Sequence, residues 1–442
     1  MDSAPTVPRN IEQPGLYWKP GLFGARPTWT KEPSIDKATE LARKHLDLPQ
    51  DELIELKPFA EGAFNKLYEI ACSKGQFVFR VTLPVAPKVK TSSEVATLGF
   101  LGQKTNIPVP EIAAHSENLE DVLGFEWILM ERMPGRPLRE VWHEMSWLHK
   151  ELLVQQIVKF MVQLYHLKLS GIGSLYFNRS PTISGRSTHY TVGEAVTQAF
   201  FVDDHIQQPI YRGRFASSQS FVDAHMAFLQ HDITKLQHAE DSDSYDSDDE
   251  EQAEGMSEIY TKLEKVIPKV FTTPAEEHKH EESILFNGDI SLNNILVSSS
   301  GSLVGIVDWE CTTTVPPWYA CQIPQFLDGL LPTSTTSQPQ PPLPLTPEAL
   351  ADKDAVQFHN EQLQCYELTC LRTFFVEEMR RQCPEWLVHR KDGAKKRDVL
   401  IAIEECGDDS QWTLINGWLD AVLDGREPKK GLLEAMWTPV GE

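Results

Sequence analysis

The sequence predicts an α+β chain of two lobes: a small antiparallel-sheet N-lobe and a larger, mainly helical C-lobe. Three observations carry this. Between residues 50 and 133, short apolar or alternating runs are divided by Gly-containing turns, as in a meandering sheet. Beyond the Pro134-Gly135 pair the apolar spacing becomes helical. Deep in that second half, two short apolar strands flank a Ser/Gly turn at Ser298 to Ser302, and Asp289, Asn294 and Asp308 stand at the strand ends. At 442 residues the chain is long enough for two or three lobes around a large core.

Taken in order, residues 1–49 form an N-terminal extension. Its first part is irregular, and 34–48 reads as a helix with Ser34 as N-cap. The N-lobe, 50–133, is expected to hold strands at 53–59, 67–72 and 77–83, a helix at 92–104, and strands at 109–115 and 126–133. The C-lobe, 134–442, opens with a helix over 150–169 that places Leu152, Leu153, Ile157, Met161, Leu164, Tyr165 and Leu167 at roughly helical spacing, as a long core helix would. Further helices are expected at 223–236 and 348–381, the last broken at Cys383-Pro384. Two disordered inserts are expected, near 238–256 and near 331–347. The first contains nine acids and no Lys or Arg over 240–254; the second is rich in Pro, Thr and Ser.

A formal net charge of −23 argues against a nucleic-acid binder, which needs a basic face, and against docking on anionic membrane. It fits a small cationic acceptor. The seven cysteines are scattered and never spaced as CxxC, which points away from a disulfide framework or zinc site and toward a reducing compartment. No apolar run reaches transmembrane length, and the first residues lack the apolar core of a secretory signal. A cytoplasmic protein is expected. The early acids and scarce Arg disfavour a mitochondrial presequence without excluding one.

Asp289, Asn294 and Asp308 are the chemistry-bearing set. A turn aspartate after Gly288 would explain Asp289 taken alone. The five-residue step to Asn294, then a turn, then Asp308, is what phosphoryl transfer from a nucleotide needs. Asp289 is read as the catalytic acid that orients and deprotonates the acceptor. Asn294 and Asp308 are read as magnesium ligands, since magnesium takes oxygen ligands and few protein groups beside phosphate and water.

The run Asn287-Gly288-Asp289, Asn294, and Ile306-Val307-Asp308-Trp309-Glu310 resembles the aminoglycoside phosphotransferase and choline kinase-like family, and more narrowly its fungal members. Supporting phrases are 63–68, 93–98, 172–177 and 371–375. The resemblance implies a bilobal protein-kinase-like fold and an ATP- and Mg2+-dependent transfer to a hydroxyl or amine of a small molecule. It also implies Arg80 at the strand position of a phosphate-binding Lys, with Glu94 as its orienting partner, and Glu131 and Met133 at the adenine-binding hinge. Thr91-Ser92-Ser93-Glu94 also fits a helix capping box. Gly62, Ala63, Phe64, Asn65 and Lys66 form the candidate nucleotide loop, although a single Gly is a weak signature. The family commonly has His where Asn287 stands, at a position that braces the loop. Trp309, Glu310 and Trp318 suit an ammonium-bearing substrate through cation–π and charge contacts, while core packing explains Trp309 as well. His231, His278 and His280 show no partner pattern. An inactive nucleotide-binding scaffold is the alternative reading. A protein kinase is disfavoured, because no Ala-Pro-Glu segment follows Asp308.

Overall fold

The computed structural model describes residues 9–21, 24–178, 189–238, 247–272, 279–328 and 340–436. The N-terminal extension forms a hairpin of β1 (Leu16–Lys19) and β2 (Arg26–Trp29), then α1 (Ile35–His45). The Ser34 hydroxyl accepts the Lys37 N–H and caps α1 as expected.

The N-lobe sheet comprises β3 (Lys57–Glu61), β4 (Asn65–Cys72), β5 (Gly75–Thr82), β6 (Ile112–Ser116) and β7 (Glu126–Glu131), in the antiparallel order β3-β4-β5-β7-β6. Helix α2 (Val89–Lys104) crosses one face and α1 covers the other. The two-residue period of the strands sorts the side chains. Tyr68, Ile70, Phe79, Val81, Trp127 and Leu129 pack under α1, with Phe79 stacked on Trp127 at 5.2 Å between centroids. Val78, Ile128 and Met130 face α2, so Arg80 and Thr82, in phase with Val78, face it too. Sequence placed the start of α2 at Ser92. It begins three residues earlier, after Lys88 at φ 68° with no side-chain cap, so the Thr91 to Glu94 run lies inside the helix and is not its capping box.

The chain leaves the sheet through Glu131 to Gly135. Gly135 has φ +100°, and a Cβ there would stand 2.7 Å from the Val297 carbonyl oxygen. The hinge must therefore be bare at this point to lie against the C-lobe hairpin. Beyond it come β8 (Arg136–Pro137), α3 (Leu138–Val141), α4 (Trp147–His166), β9 (Leu169–Ser170), β10 (Ser174–Phe177) and β11 (Tyr190–Gly193). Helices α5 (Ser218–Gln237) and α6 (Ser247–Val270) pack as a pair. The acidic insert expected to be disordered through 256 is therefore helical from Ser247. Ala253, Met256, Ile259, Leu263 and Val266 recur every three or four residues and are buried, which stabilises the helix despite its acids. Residues 239–246 lie outside the described set, as does most of the second expected insert.

The segment that carries Asp289, Asn294 and Asp308 follows: β12 (Glu282–Phe286), β13 (Ile295–Val297), β14 (Leu303–Ile306) and β15 (Thr313–Val315), then α7 (Pro317–Ala320). Strand β12 pairs with β15 and β9, while β13 pairs with β14 and β8. Helices α8 (Lys353–Gln382), α9 (Pro384–Asp392), α10 (Ala394–Glu404), α11 (Trp412–Leu423) and α12 (Leu432–Met436) complete a lobe with one large apolar core, in which α8 lies along α4. A small sheet lobe joined by a hinge to a mainly helical lobe is the bilobal, kinase-like α+β architecture the sequence predicts.

Candidate active site

The turn after β12 is built by Asn287. This buried amide donates to the Asp308 carbonyl at 3.0 Å and accepts the Asp289 N–H at 2.8 Å, pinning the β12–β13 loop to the segment after β14. The bracing task expected at this position is done by an amide. Asn294 donates to the Asp289 carboxylate at 2.9 Å and to its carbonyl at 3.0 Å, which leaves the amide oxygen of Asn294 free to accept. Its carbonyl takes the Val307 N–H at 2.9 Å, so Asn294 and Asp308 sit at the same end of the β13–β14 hairpin. Burial raises the Asp289 carboxyl above its ordinary value, against the hydrogen bonds from Asn294 and Ser291.

Asp308 has φ 62°, a left-handed conformation rare outside glycine, directly after the hairpin. Its Oδ1 is buried without a hydrogen-bond partner among the described residues. Burial first, then the negative charge of Glu310, pushes its carboxyl up to about 7, with Arg80 opposing. An orphaned buried carboxylate oxygen and a free amide oxygen, on residues at the same end of the hairpin, form an all-oxygen donor set of the kind magnesium takes. Among the described residues no cluster of three His, Cys, Asp or Glu side chains could hold a metal alone. A magnesium that takes most of its ligands from phosphate and water needs none.

Above Asp308 lies a buried charge cluster. Arg80 from β5 pairs with Glu94 from α2, both nearly inaccessible, and the proximity of Glu94 keeps the guanidinium charged although burial opposes it. Lys90, one helical turn before Glu94, pairs with Glu310, and its side chain is 1% exposed. Asn65 donates to the same Glu310 oxygen at 2.7 Å, and the Thr82 hydroxyl donates to the side-chain amide oxygen of Asn65 at 3.1 Å. Burial alone would raise the Glu310 carboxyl, but Lys90 and Arg80 hold it below its ordinary value.

The candidate nucleotide loop divides. Gly62 and Ala63 are exposed at its tip, and the Gly62 N–H donates to the Asn65 carbonyl at 2.9 Å. Phe64 turns inward, edge-on to Phe201 at 5.5 Å, and its ring lies 5.6 Å from the Lys90 ammonium. Lys66 lies opposite Val81 in the strand register, on the face away from Arg80. It is bound to Glu32 at 2.6 Å and stands over the Trp29 ring, so it does not join the charge cluster. At the hinge, the Glu131 N–H is taken by the Glu111 carbonyl at 2.8 Å, while the Met133 side chain lies over Gly305 of β14.

Trp309 and Trp318 belong to the C-lobe core. Their N–H groups go to the Ile306 carbonyl at 2.9 Å and the Ser218 hydroxyl at 2.7 Å. Trp309 is almost fully buried, the Trp318 ring is already faced by the Lys396 ammonium at 5.7 Å, and Glu310 points into the N-lobe cluster instead. The expectation of substrate contact for these three is corrected accordingly. A cleft of about 390 Å³ opens beside Asp289, lined also by Arg139, Asn293, Asn294, Gln325 and Asp328. Arg139 donates to Asn293 at 2.8 Å, and burial pushes the Asp328 carboxyl up to about 6 against Arg372.

Sequence reasoning missed Lys90 and the cleft acid Asp328. Lys90 had a signal, its four-residue step to Glu94, hidden by placing the helix start too late. Asp328 had none, because it follows a short turn after α7. His231 is also corrected: it pairs with Asp204 at 3.0 Å. His278 lies outside the described residues.

Known proteins were compared with the chain. The model of the phosphotransferase enzyme family matches residues 55–319, a span that holds Arg80, Glu94, Asp289, Asn294 and Asp308. The subtelomeric hrmA-associated cluster protein of Aspergillus fumigatus is 24% identical over 340 residues, 66% of this chain and 63% of that protein. Altered inheritance of mitochondria protein 9, mitochondrial, of Eremothecium gossypii is 22% identical over 341 residues, 68% of this chain and 55% of that one. The chain thus spans less than two thirds of the length of these relatives. Among solved structures, aminoglycoside phosphotransferase APH(4)-Ia is similar at 13% identity, covering 89% of this chain and all of that one, with a TM-score of 0.42. A streptomycin–ATP complex of APH(2″)-IIa gives 14% identity, 88% and 93% coverage, and a TM-score of 0.40. With the family model spanning more than half its length, including both lobes of the site, this chain belongs to the phosphotransferase enzyme family.

Proposed function

We propose that the chain transfers the γ-phosphoryl group of ATP, with magnesium, to a hydroxyl of a small molecule. The observation that carries this is the convergence of Asp289, Asn294 and the orphaned Asp308 oxygen at one end of a hairpin, beside a cleft of mixed polar and apolar lining. Asp289, held by Asn294, orients the acceptor hydroxyl in the cleft and takes its proton as the new O–P bond forms and the bond to the leaving diphosphate breaks. Asp308 and the free oxygen of Asn294 hold the cation, which when bound neutralises the charge on the phosphates. Arg80, fixed by Glu94, binds the phosphates from above, and the backbone of Gly62 to Asn65 covers them. The hinge backbone at Glu131 and Met133 takes the adenine edge.

The cleft lining carries two carboxylates, Asp289 and Asp328, against one guanidinium, Arg139, together with the amides of Asn293, Asn294 and Gln325. That lining supports a hydroxylated acceptor bearing positive charge. In a coupled assay with labelled ATP and a panel of polyols, aminoalcohols and amino sugars, the wild type should phosphorylate at least one acceptor. Asp289→Asn should lower kcat by roughly 10²–10⁴ with little change in nucleotide affinity. Turnover that survives the substitution refutes the assignment of the base.

Cytosol is the location expected from sequence. The mitochondrial name of the Eremothecium gossypii relative supports a second location, and imaging of the tagged full chain distinguishes the two. Among the described residues no helix is long and apolar enough to cross a membrane.

A further inference from the structure

We propose that Lys90 and Asn65 are phosphate-binding residues, and that Glu310 is the anion they exchange for a polyphosphate oxygen. The inference rests on the nucleotide-dependent reading above and assigns two further residues to that site.

Lys90 is among the least exposed side chains of the chain, and a buried ammonium is tolerated only with a close counter-charge. That counter-charge is Glu310, two residues after the candidate metal acid Asp308. The same Glu310 oxygen also accepts from Asn65. Asn65 is oriented for this role: Thr82, its cross-strand partner in the sheet, holds the amide oxygen and turns the NH2 toward Glu310. A single anionic oxygen gripped by one ammonium and one fixed amide N–H is the arrangement by which proteins hold a phosphate oxygen.

Position points the same way. Lys90 lies below Phe64, in the loop whose backbone would cover the phosphates, and within the electrostatic reach of Asp308. The expected clamp, Arg80, is already neutralised by Glu94. Arg80 with Glu94 and Lys90 with Glu310 are each neutral pairs, but only Glu310 stands two residues from the candidate cation site, where a carboxylate released to a phosphate oxygen would meet a positive charge. Exchange balances without stranding a charge. The ammonium and amide move from carboxylate to phosphate, and the freed carboxylate turns toward the cation site at Asp308.

A plain interlobe tie between Lys90 and Glu310 would affect stability and leave phosphate discrimination alone. Calorimetric titration of the full chain with Mg·ATP and, separately, adenosine measures the ratio of the two dissociation constants. In Lys90→Met this preference for the triphosphate should fall by on the order of ten-fold or more, with adenosine affinity held within about two-fold. Asn65→Ala should lower it by about three-fold or more. Because Lys90→Met strands a buried carboxylate, Lys90→Met/Glu310→Gln is the paired variant. It removes both charges, keeps the volume, and should show the same loss of preference. An unchanged ratio in the folded variants, or adenosine and ATP weakening in parallel, overturns the proposal. A wild type that binds neither ligand refutes the nucleotide reading itself, and this assignment with it.

Discussion

Asp308 carries a cost in the folded chain that no hydrogen bond at Oδ1 offsets. Burial and Glu310 raise its carboxyl to about 7, far above the unfolded value, so the folded state holds that proton across the range in which the unfolded chain has lost it. Stability contributed by this group is therefore greatest at low pH and declines as pH rises toward 7. Asp308→Asn cannot ionise. At about pH 8 it should be more stable than the wild type by about 1–2 kcal/mol in urea denaturation, with the gap closing as pH falls toward 4, while phosphoryl transfer is lost. A variant less stable than the wild type at pH 8 would show that the charge is compensated. Asp289, Asn294 and Asp308 were legible in the sequence because they fall within twenty residues on one hairpin, where local spacing fixes proximity. The direction of Glu310 was not. It depends on two non-glycine residues with positive φ, Asp308 and Cys311, a backbone turn that sequence spacing does not announce.

At the scale of elements, the segment before α5 docks through ion pairs. His205 offers one ring nitrogen to the Ala199 carbonyl and the other to the Asp232 carboxylate, each at 2.7 Å. Both partners are acceptors, so both nitrogens must carry protons and the ring is an imidazolium. Burial pulls its pKa down, but the hydrogen bond and charge of Asp232 leave it raised. The stabilisation is thus complete below the unfolded value and is lost as pH rises through the folded one. Asp232→Asn should lower the melting temperature by about 2 °C at pH 5.5 and by less at pH 8.5. Equal shifts at both values would mean a neutral ring. Neighbouring Asp204, His231 and Lys235 form a second bridge between the same two elements. None of this was legible, because its members are separated by some thirty residues with no periodic relation. The strands of the N-lobe were legible, since alternation and turns are local. Helix α2 was legible except for its start, where an uncapped Lys88 replaces the usual polar cap. The helix from Ser247 was obscured because its acids outweighed its apolar period.

Across the whole molecule, the first described residues tie the two lobes together. Arg9 and Ile11 bond to Gln207 of the C-lobe, while Gln13 donates to the Pro84 carbonyl of the N-lobe at 3.0 Å. Ile11, Leu16, Trp18 and Trp29 cover an apolar patch formed by Leu83, Val85, Val196, Phe201 and Ile206 from both lobes. Gln207→Ala removes the side-chain bonds at a cost of about 1–2 kcal/mol and should leave the core folded. Chymotrypsin, which cuts after residues such as Tyr17 and Trp18, should then cleave the segment several-fold faster than in the wild type. Unchanged cleavage would show that the apolar cover alone holds it.

Lys90 and Glu94 stand one turn apart on a single rigid rod, and each holds a different part of the site: Glu94 reaches Arg80 in the sheet, Lys90 reaches Glu310 in the turn after β14 of the lower lobe. A roll of α2 about its axis therefore cannot alter one grip without altering the other. The two ion pairs therefore share one rigid support, and a change at either contact is felt at the other.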